Sequence, residues 1–131
     1  MPSRDNGIIA QADRQEIIDV IHRVAFILDS GEYDRMGEVF SPDMQFENPG
    51  RLKADGLQNV IAAFKKITNP AISHHITNVI LTPVDSGTVR ALSKALTLRA
   101  ENTIAAAEYS DVVTKTDAGW RISSRNIKPL S

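Results

Sequence analysis

The hydrophobic period of this chain changes at Asn69-Pro70, and that change limits the folds open to it. Before this point apolar residues recur at helical spacing. After it, segments rich in Ile, Val and Thr are divided by short turn signals. In the first part Ile17, Ile21, Val24 and Leu28 recur at i, i+4, i+7 and i+11, and Ile18 and Ala25 widen the stripe. This predicts a helix from Asp13 to about Ser30, with Asp13 and Glu16 as a capping-box-like pair and Gly31 as its stop. A short second helix, Tyr33 to Phe40, would bury Met36, Val39 and Phe40 and end at Ser41-Pro42-Asp43. Met44 to Glu47 alternates like a strand, and Asn48-Pro49-Gly50 is a turn. A third helix from near Asp55 would bury Leu57, Val60, Ile61 and Phe64, with Lys65 and Lys66 at its negative pole.

The second part reads as four strands: Ser73 to Pro83, Thr88 to Arg99, Thr103 to Thr116 and Trp120 to Ile127. Asp85-Ser86-Gly87, Glu101-Asn102 and Asp117-Ala118-Gly119 are the turns between them, so the strands form an antiparallel meander. Helices followed by strands is the α+β pattern, with the helices on one face of one sheet. The expected organisation is a single domain over residues 1–131, with residues 1–8 as a flexible tail.

Composition narrows the function. Fifteen basic and sixteen acidic residues nearly cancel, which argues against nucleic acid as the partner. With no cysteine there is no thiolate nucleophile or thiolate metal site, and His22, His74 and His75 fit no zinc spacing. The expectation is therefore no metal and no cofactor. No segment approaches the ~20 apolar residues of a membrane span, and the first residues lack the apolar core of a signal peptide. These readings predict a cytoplasmic protein with no membrane partner.

Four local signatures, in order, carry a resemblance that covers nearly the whole chain. They are Leu28-Asp29-Ser30-Gly31-Glu32-Tyr33-Asp34; Val39-Phe40-Ser41-Pro42-Asp43; His74-His75-Ile76-Thr77-Asn78; and Tyr109-Ser110-Asp111 followed by Gly119-Trp120-Arg121-Ile122 and Arg125. Together they resemble the SnoaL-like family of the nuclear transport factor 2-like superfamily, in its scytalone dehydratase-like and polyketide cyclase branch. The resemblance implies a cone-shaped α+β barrel, a curved and mostly antiparallel sheet wrapped on N-terminal helices around a deep pocket. The cone hosts dehydratases, isomerases, cyclases and dehalogenating lyases as well as non-catalytic binding modules, so fold does not settle reaction.

Several residues could do chemistry there. Asp29 ends the first helix, where the helix dipole and an apolar cone both disfavour its charge; otherwise it is a turn aspartate beside Ser30-Gly31. Strand alternation puts His74, Ile76 and Asn78 on one face and His75 on the other. In catalytic relatives, the histidine matching His74 pairs with the aspartate matching Asp29 and takes a proton beside a carbonyl. His75 is the alternative if the parity is reversed. The resemblance also implies an arginine at Arg125 that holds a substrate oxygen or anchors the aspartate; otherwise Arg125 is a solvated strand residue. Asn78, Phe26, Phe46, Tyr109 and His22 are the further candidates for contact with a substrate. Trp120 reads as a core or interface aromatic.

The chain departs from the full dehydratase pattern. Leu28 stands where scytalone dehydratase-like enzymes carry a tyrosine, and apolar residues from Ile104 to Ala107 replace a second histidine. An Asp–His dyad in an apolar cone remains. It implies a cofactor-free lyase or isomerase acting on a small hydrophobic carbonyl compound, or a binding protein for a small hydrophobic ligand. Dimerisation through the outer face of the sheet, common in similar proteins, gives a homodimer or higher homo-oligomer as the expected assembly.

Overall fold

The computed structural model describes residues 8–131, so the expected tail lies outside the described residues except for Ile8. Helix α1, Gln11–Ser30, buries Ile17, Val20, Ile21, Val24, Ala25 and Ile27. It ends at Gly31, whose φ of 72° is the left-handed conformation that a residue without Cβ adopts at little cost. The chain then runs through a 3-10 segment, Tyr33–Glu38, into strand β1, Phe40–Asn48, and strand β2, Leu52–Asp55. Helix α2, Leu57–Lys65, buries Val60, Ile61 and Phe64. Strands β3 (Ser73–Asp85), β4 (Thr88–Leu98), β5 (Ile104–Thr116) and β6 (Gly119–Pro129) complete the chain.

The six strands form one unclosed mixed sheet in the order β2-β1-β6-β5-β4-β3. All pairings are antiparallel except β1 with β6, which is parallel. Helix α1 packs on edge strand β3 and also on β6, three places away, which a sheet can offer only by curving around the helix. Helix α2 covers β1 and β2. Between them lies one apolar cluster that includes Ile17, Ile21, Met36, Phe40, Met44, Val60, Val113 and Ile122.

Three sequence expectations change in detail. The second helix is only the 3-10 segment, and β1 begins at Phe40, taking in Ser41-Pro42-Asp43. Phe40 pairs with Ile122, and the register shifts before Gln45, so Pro42 sits where the ladder is interrupted. The residues after the Asn48-Pro49-Gly50 turn form β2, a four-residue strand whose side chains alternate between half-buried and exposed.

The capping pair is the third change. The cap of α1 is Ala10, with no side-chain cap bond, so Asp13 and Glu16 do other work. The Trp120 indole N–H donates to Asp13 Oδ1 at 3.0 Å, and the Trp120 backbone N–H donates to Glu16 Oε2 at 2.9 Å. The spacing that suggested a cap brings both carboxylates to β6, one turn apart on α1. Gly119 is required beside them: its φ is 114°, and a Cβ there would lie 2.6 Å from Glu16 Oε2.

Two irregularities decide what faces inward. On β3 the register shifts between Thr77 and Ile80, and Asn78 adopts a φ of 57°. On β6, Ile122 pairs with Val113 and Ser124 with Val112, which leaves Ser123 as an extra residue. Ile122 and Arg125 are therefore both buried, although simple alternation would place them on opposite faces. No described helix is long and apolar enough to cross a membrane.

Candidate active site

Beyond the last turns of α1 and α2 the sheet continues past the apolar cluster and leaves a cavity of about 240 Å³. Phe46, Phe64 and Tyr109 are its deeply buried walls, with Phe46 and Phe64 edge to face at 5.2 Å between ring centroids. Ala105, Ala106 and Ala107 of β5 also line it, and their small side chains leave space unfilled.

His74, the second residue of β3, lines this cavity, and Asp29, the penultimate residue of α1, grips it twice. The ring nitrogen Nδ1 lies 2.6 Å from Asp29 Oδ1, and the His74 backbone N–H donates to Asp29 Oδ2 at 3.0 Å. A carboxylate only accepts, so the proton of a neutral ring is held on Nδ1 and Nε2 keeps its lone pair. The side chains are 17% and 23% exposed, shielded yet reachable. His75 points the other way, is exposed, and bonds to Ser73 Oγ at 2.8 Å.

Arg125 also lines the cavity and carries a second, fully buried pair. Its Nε and Nη2 donate to the two oxygens of Asp111, each at 2.8 Å, from directly opposed positions on β5 and β6. The Tyr109 ring lies against the guanidinium, with its centroid 4.4 Å from Cζ. Burial opposes the charge of Arg125, but the charge and hydrogen bonds of Asp111 more than offset this and raise its pKa. Burial likewise pushes the Tyr109 phenol up; Arg125 pulls it down and Asp111 adds to the rise. Among the described residues Arg125 Nη1 has no hydrogen-bond acceptor, so its N–H groups are free for a guest.

The structure thus brings Asp29, His74, Arg125, Phe46 and Tyr109 together, all but Asp29 on the cavity wall. It separates three other candidates from them. Phe26 is 76% exposed on the outer side of α1, because it lies off the stripe that begins at Ile17. His22 shares that outer side, in a shallow groove with Phe26 and Arg35. Asn78 is exposed because the β3 irregularity turns it out of the alternation that His74 and Ile76 begin. These three positions correct the expectation that they contact a substrate in the cavity.

The sequence reading missed Asn48, Arg51, Thr97 and Arg99, which also line the cavity. Asn48 reads in the sequence only as part of a turn and Thr97 and Arg99 only as strand residues, while Arg51 carries no local signal. Asn48 Oδ1 is buried with no hydrogen-bond partner among the described residues. Among those residues no cluster of three metal-ligating side chains occurs.

The architecture and this constellation can be set beside known proteins. Residues 10–126 match the model of the SnoaL-like domain. The chain belongs to that family. Among solved structures, the SnoaL-like chain is similar to a nuclear transport factor 2-like protein with a cystatin-like fold from Novosphingobium aromaticivorans. The two are 23% identical with a TM-score of 0.81, over 92% of this chain and 83% of that one. A protein provisionally assigned as a scytalone dehydratase from the same organism is 17% identical, with a TM-score of 0.77, over 92% and 85% of the two chains. Hexachlorocyclohexane dehydrochlorinase LinA-type3 from Novosphingobium barchaimii is 20% identical, with a TM-score of 0.79, over 92% and 88%. At these identities the likeness establishes the cone-shaped α+β fold alone. A search of curated proteins finds no match.

Proposed function

We propose that this SnoaL-like protein is a cofactor-free lyase or isomerase. It would act by abstracting a proton from a small hydrophobic, cyclic or aromatic carbonyl compound held in the cavity. The observation that carries this reading is the double grip of Asp29 on His74, which fixes the ring and leaves Nε2 as the proton acceptor. His74 Nε2 takes the proton from the carbon next to the carbonyl. The electron pair of that C–H bond moves to the carbonyl oxygen, forming an enolate. Asp29 orients the imidazole and stabilises the imidazolium that results. Arg125, its charge fixed by Asp111, donates through Nη1 to the enolate oxygen. The enolate then recovers a proton from His74 at another carbon, or expels a leaving group with that proton. Phe46, Phe64 and Tyr109 keep the base and enolate away from bulk water.

A second reading, a carrier for a small hydrophobic ligand without turnover, is favoured by Leu28 on the cavity wall and by the alanines from Ala105 to Ala107. These supply surface to an apolar guest but no further acid or base. An exchange experiment separates the two. The wild type should wash deuterium from the α-position of cyclohexanone or α-tetralone, and His74→Gln should not. An NMR titration of His74 in wild type and Asp29→Asn tests the dyad directly. Coupled groups give a higher imidazole pKa in the wild type. Identical curves, with no exchange by the wild type, would leave the carrier reading in place.

A further inference from the structure

The cavity carries charge that the proton transfer does not use. Its ionic groups fall into two sets, separated by burial and by partner. His74 and Arg125 are each matched by a carboxylate, Asp29 and Asp111. Arg51, in the turn between β1 and β2, and Arg99, just beyond β4, line the same cavity. Neither has a carboxylate within ion-pair distance among the described residues. Among the described residues no Asp or Glu side chain lines the cavity. Arg51 is exposed and Arg99 half-buried, whereas Phe46, Phe64, Tyr109 and Arg125 are buried, so the two unmatched guanidinium groups belong to the rim. The charge of Arg99 also reaches inward, since it is felt at the Tyr109 phenol.

Two cations on one rim, neither held in an ion pair among the described residues, raise the potential over the opening and favour a guest that brings negative charge. The interior beneath them is aromatic and aliphatic, unsuited to a guest charged at both ends. We propose that the ligand is a hydrophobic carboxylate, its carboxylate bound at the rim by Arg51 and Arg99 and its apolar body against Phe46, Phe64 and the alanines of β5. Taken with the proton-abstraction reading, on which this step rests, the substrate class becomes an oxo acid. The carbonyl lies by His74 and Arg125, and the carboxylate remains at the rim throughout. Recognition by the rim does not require the base, so the two ideas fail separately.

The test is calorimetric titration of phenylacetate and cyclohexanecarboxylate against the matching carboxamides, into wild type, R51Q/R99Q and His74→Gln, with thermal melts to check that each variant is folded. Carboxylates should bind wild type about tenfold more tightly than the amides. The preference should shrink as salt is raised, persist in His74→Gln, and disappear in R51Q/R99Q. Equal binding of acid and amide overturns the proposal, as does a preference that survives in R51Q/R99Q or no carboxylate binding at all. If carboxylate preference holds while the wild type exchanges no α-deuterium from a bound oxo acid, the proton-abstraction reading falls and the rim assignment stands.

Discussion

The two aspartate–cation pairs of this chain are built from the same chemistry and set to opposite purposes. Asp111–Arg125 joins two neighbouring strands, is 0% and 2% exposed at its respective side chains, and uses both carboxylate oxygens on one guanidinium. Asp29–His74 joins a helix end to a strand start and is several-fold more exposed. It spends one oxygen on the ring and the other on the backbone. In the first pair the cation keeps its proton at any ordinary pH, so the pair contributes a fixed charge. In the second the cation-forming group is an imidazole, which can both accept and donate a proton. Burial separates the roles: a sealed pair holds an electrostatic environment constant, while a reachable one can exchange a proton with a guest.

Breaking each pair should expose that difference. Asp111→Ala leaves an uncompensated guanidinium in the interior and should cost about 3–5 kcal/mol of folding stability by urea denaturation. The double change Asp111→Leu with Arg125→Met should recover most of that loss, since a buried pair adds little over well-packed apolar residues. Asp29→Asn should cost less than about 1 kcal/mol in the same assay, because the pair is partly exposed and screened. Its effect belongs to the rate: α-deuterium exchange should fall by about 100-fold or more as the ring loses its orienting acceptor. An Asp29→Asn protein destabilised as much as Asp111→Ala would collapse the distinction between the pairs. At the other end of the sheet, Asp13→Ala removes the acceptor of the Trp120 indole and should cost about 0.5–1.5 kcal/mol without changing exchange rates.

The smallest effect concerns Tyr109, which lies against the sealed pair. Its phenol is pushed above its ordinary value of 10.0, chiefly by burial. The folded state therefore holds that proton more tightly than the unfolded chain. The resulting stability is fully present below pH 10 and is lost as pH rises from there through the folded pKa. Denaturation at rising alkaline pH should show this loss in the wild type and a shallower one in Tyr109→Phe.

Much of this architecture was legible because helical and strand periodicities differ so sharply. The Ile17 stripe, the three turn signals and the four strands of the meander were all readable, and the resemblance supplied the pairing of Asp29 with His74. What could not be read was set by partners distant in sequence. Parity places Asn78 with His74, because alternation is a local rule. The register shift in β3 and the extra residue Ser123 in β6 exist only in relation to neighbouring strands. Asp13 and Glu16 fit a cap equally well by spacing, and only Trp120, more than a hundred residues away, explains their use. The stripe that defines α1 itself turns Phe26 away from the core.

The grip of Asp29 on the His74 amide has a consequence for how the site comes into being. Its partners are 45 residues apart, so the oriented base cannot form within either half of the chain alone. It forms when the last turn of α1 docks on the first residues of β3, an edge strand with a neighbour on one side only. Fraying at either end would undo the imidazole's orientation before it disturbed the apolar cluster. The protection of one amide hydrogen, that of His74, therefore reports the fraction of molecules whose base is assembled at any moment.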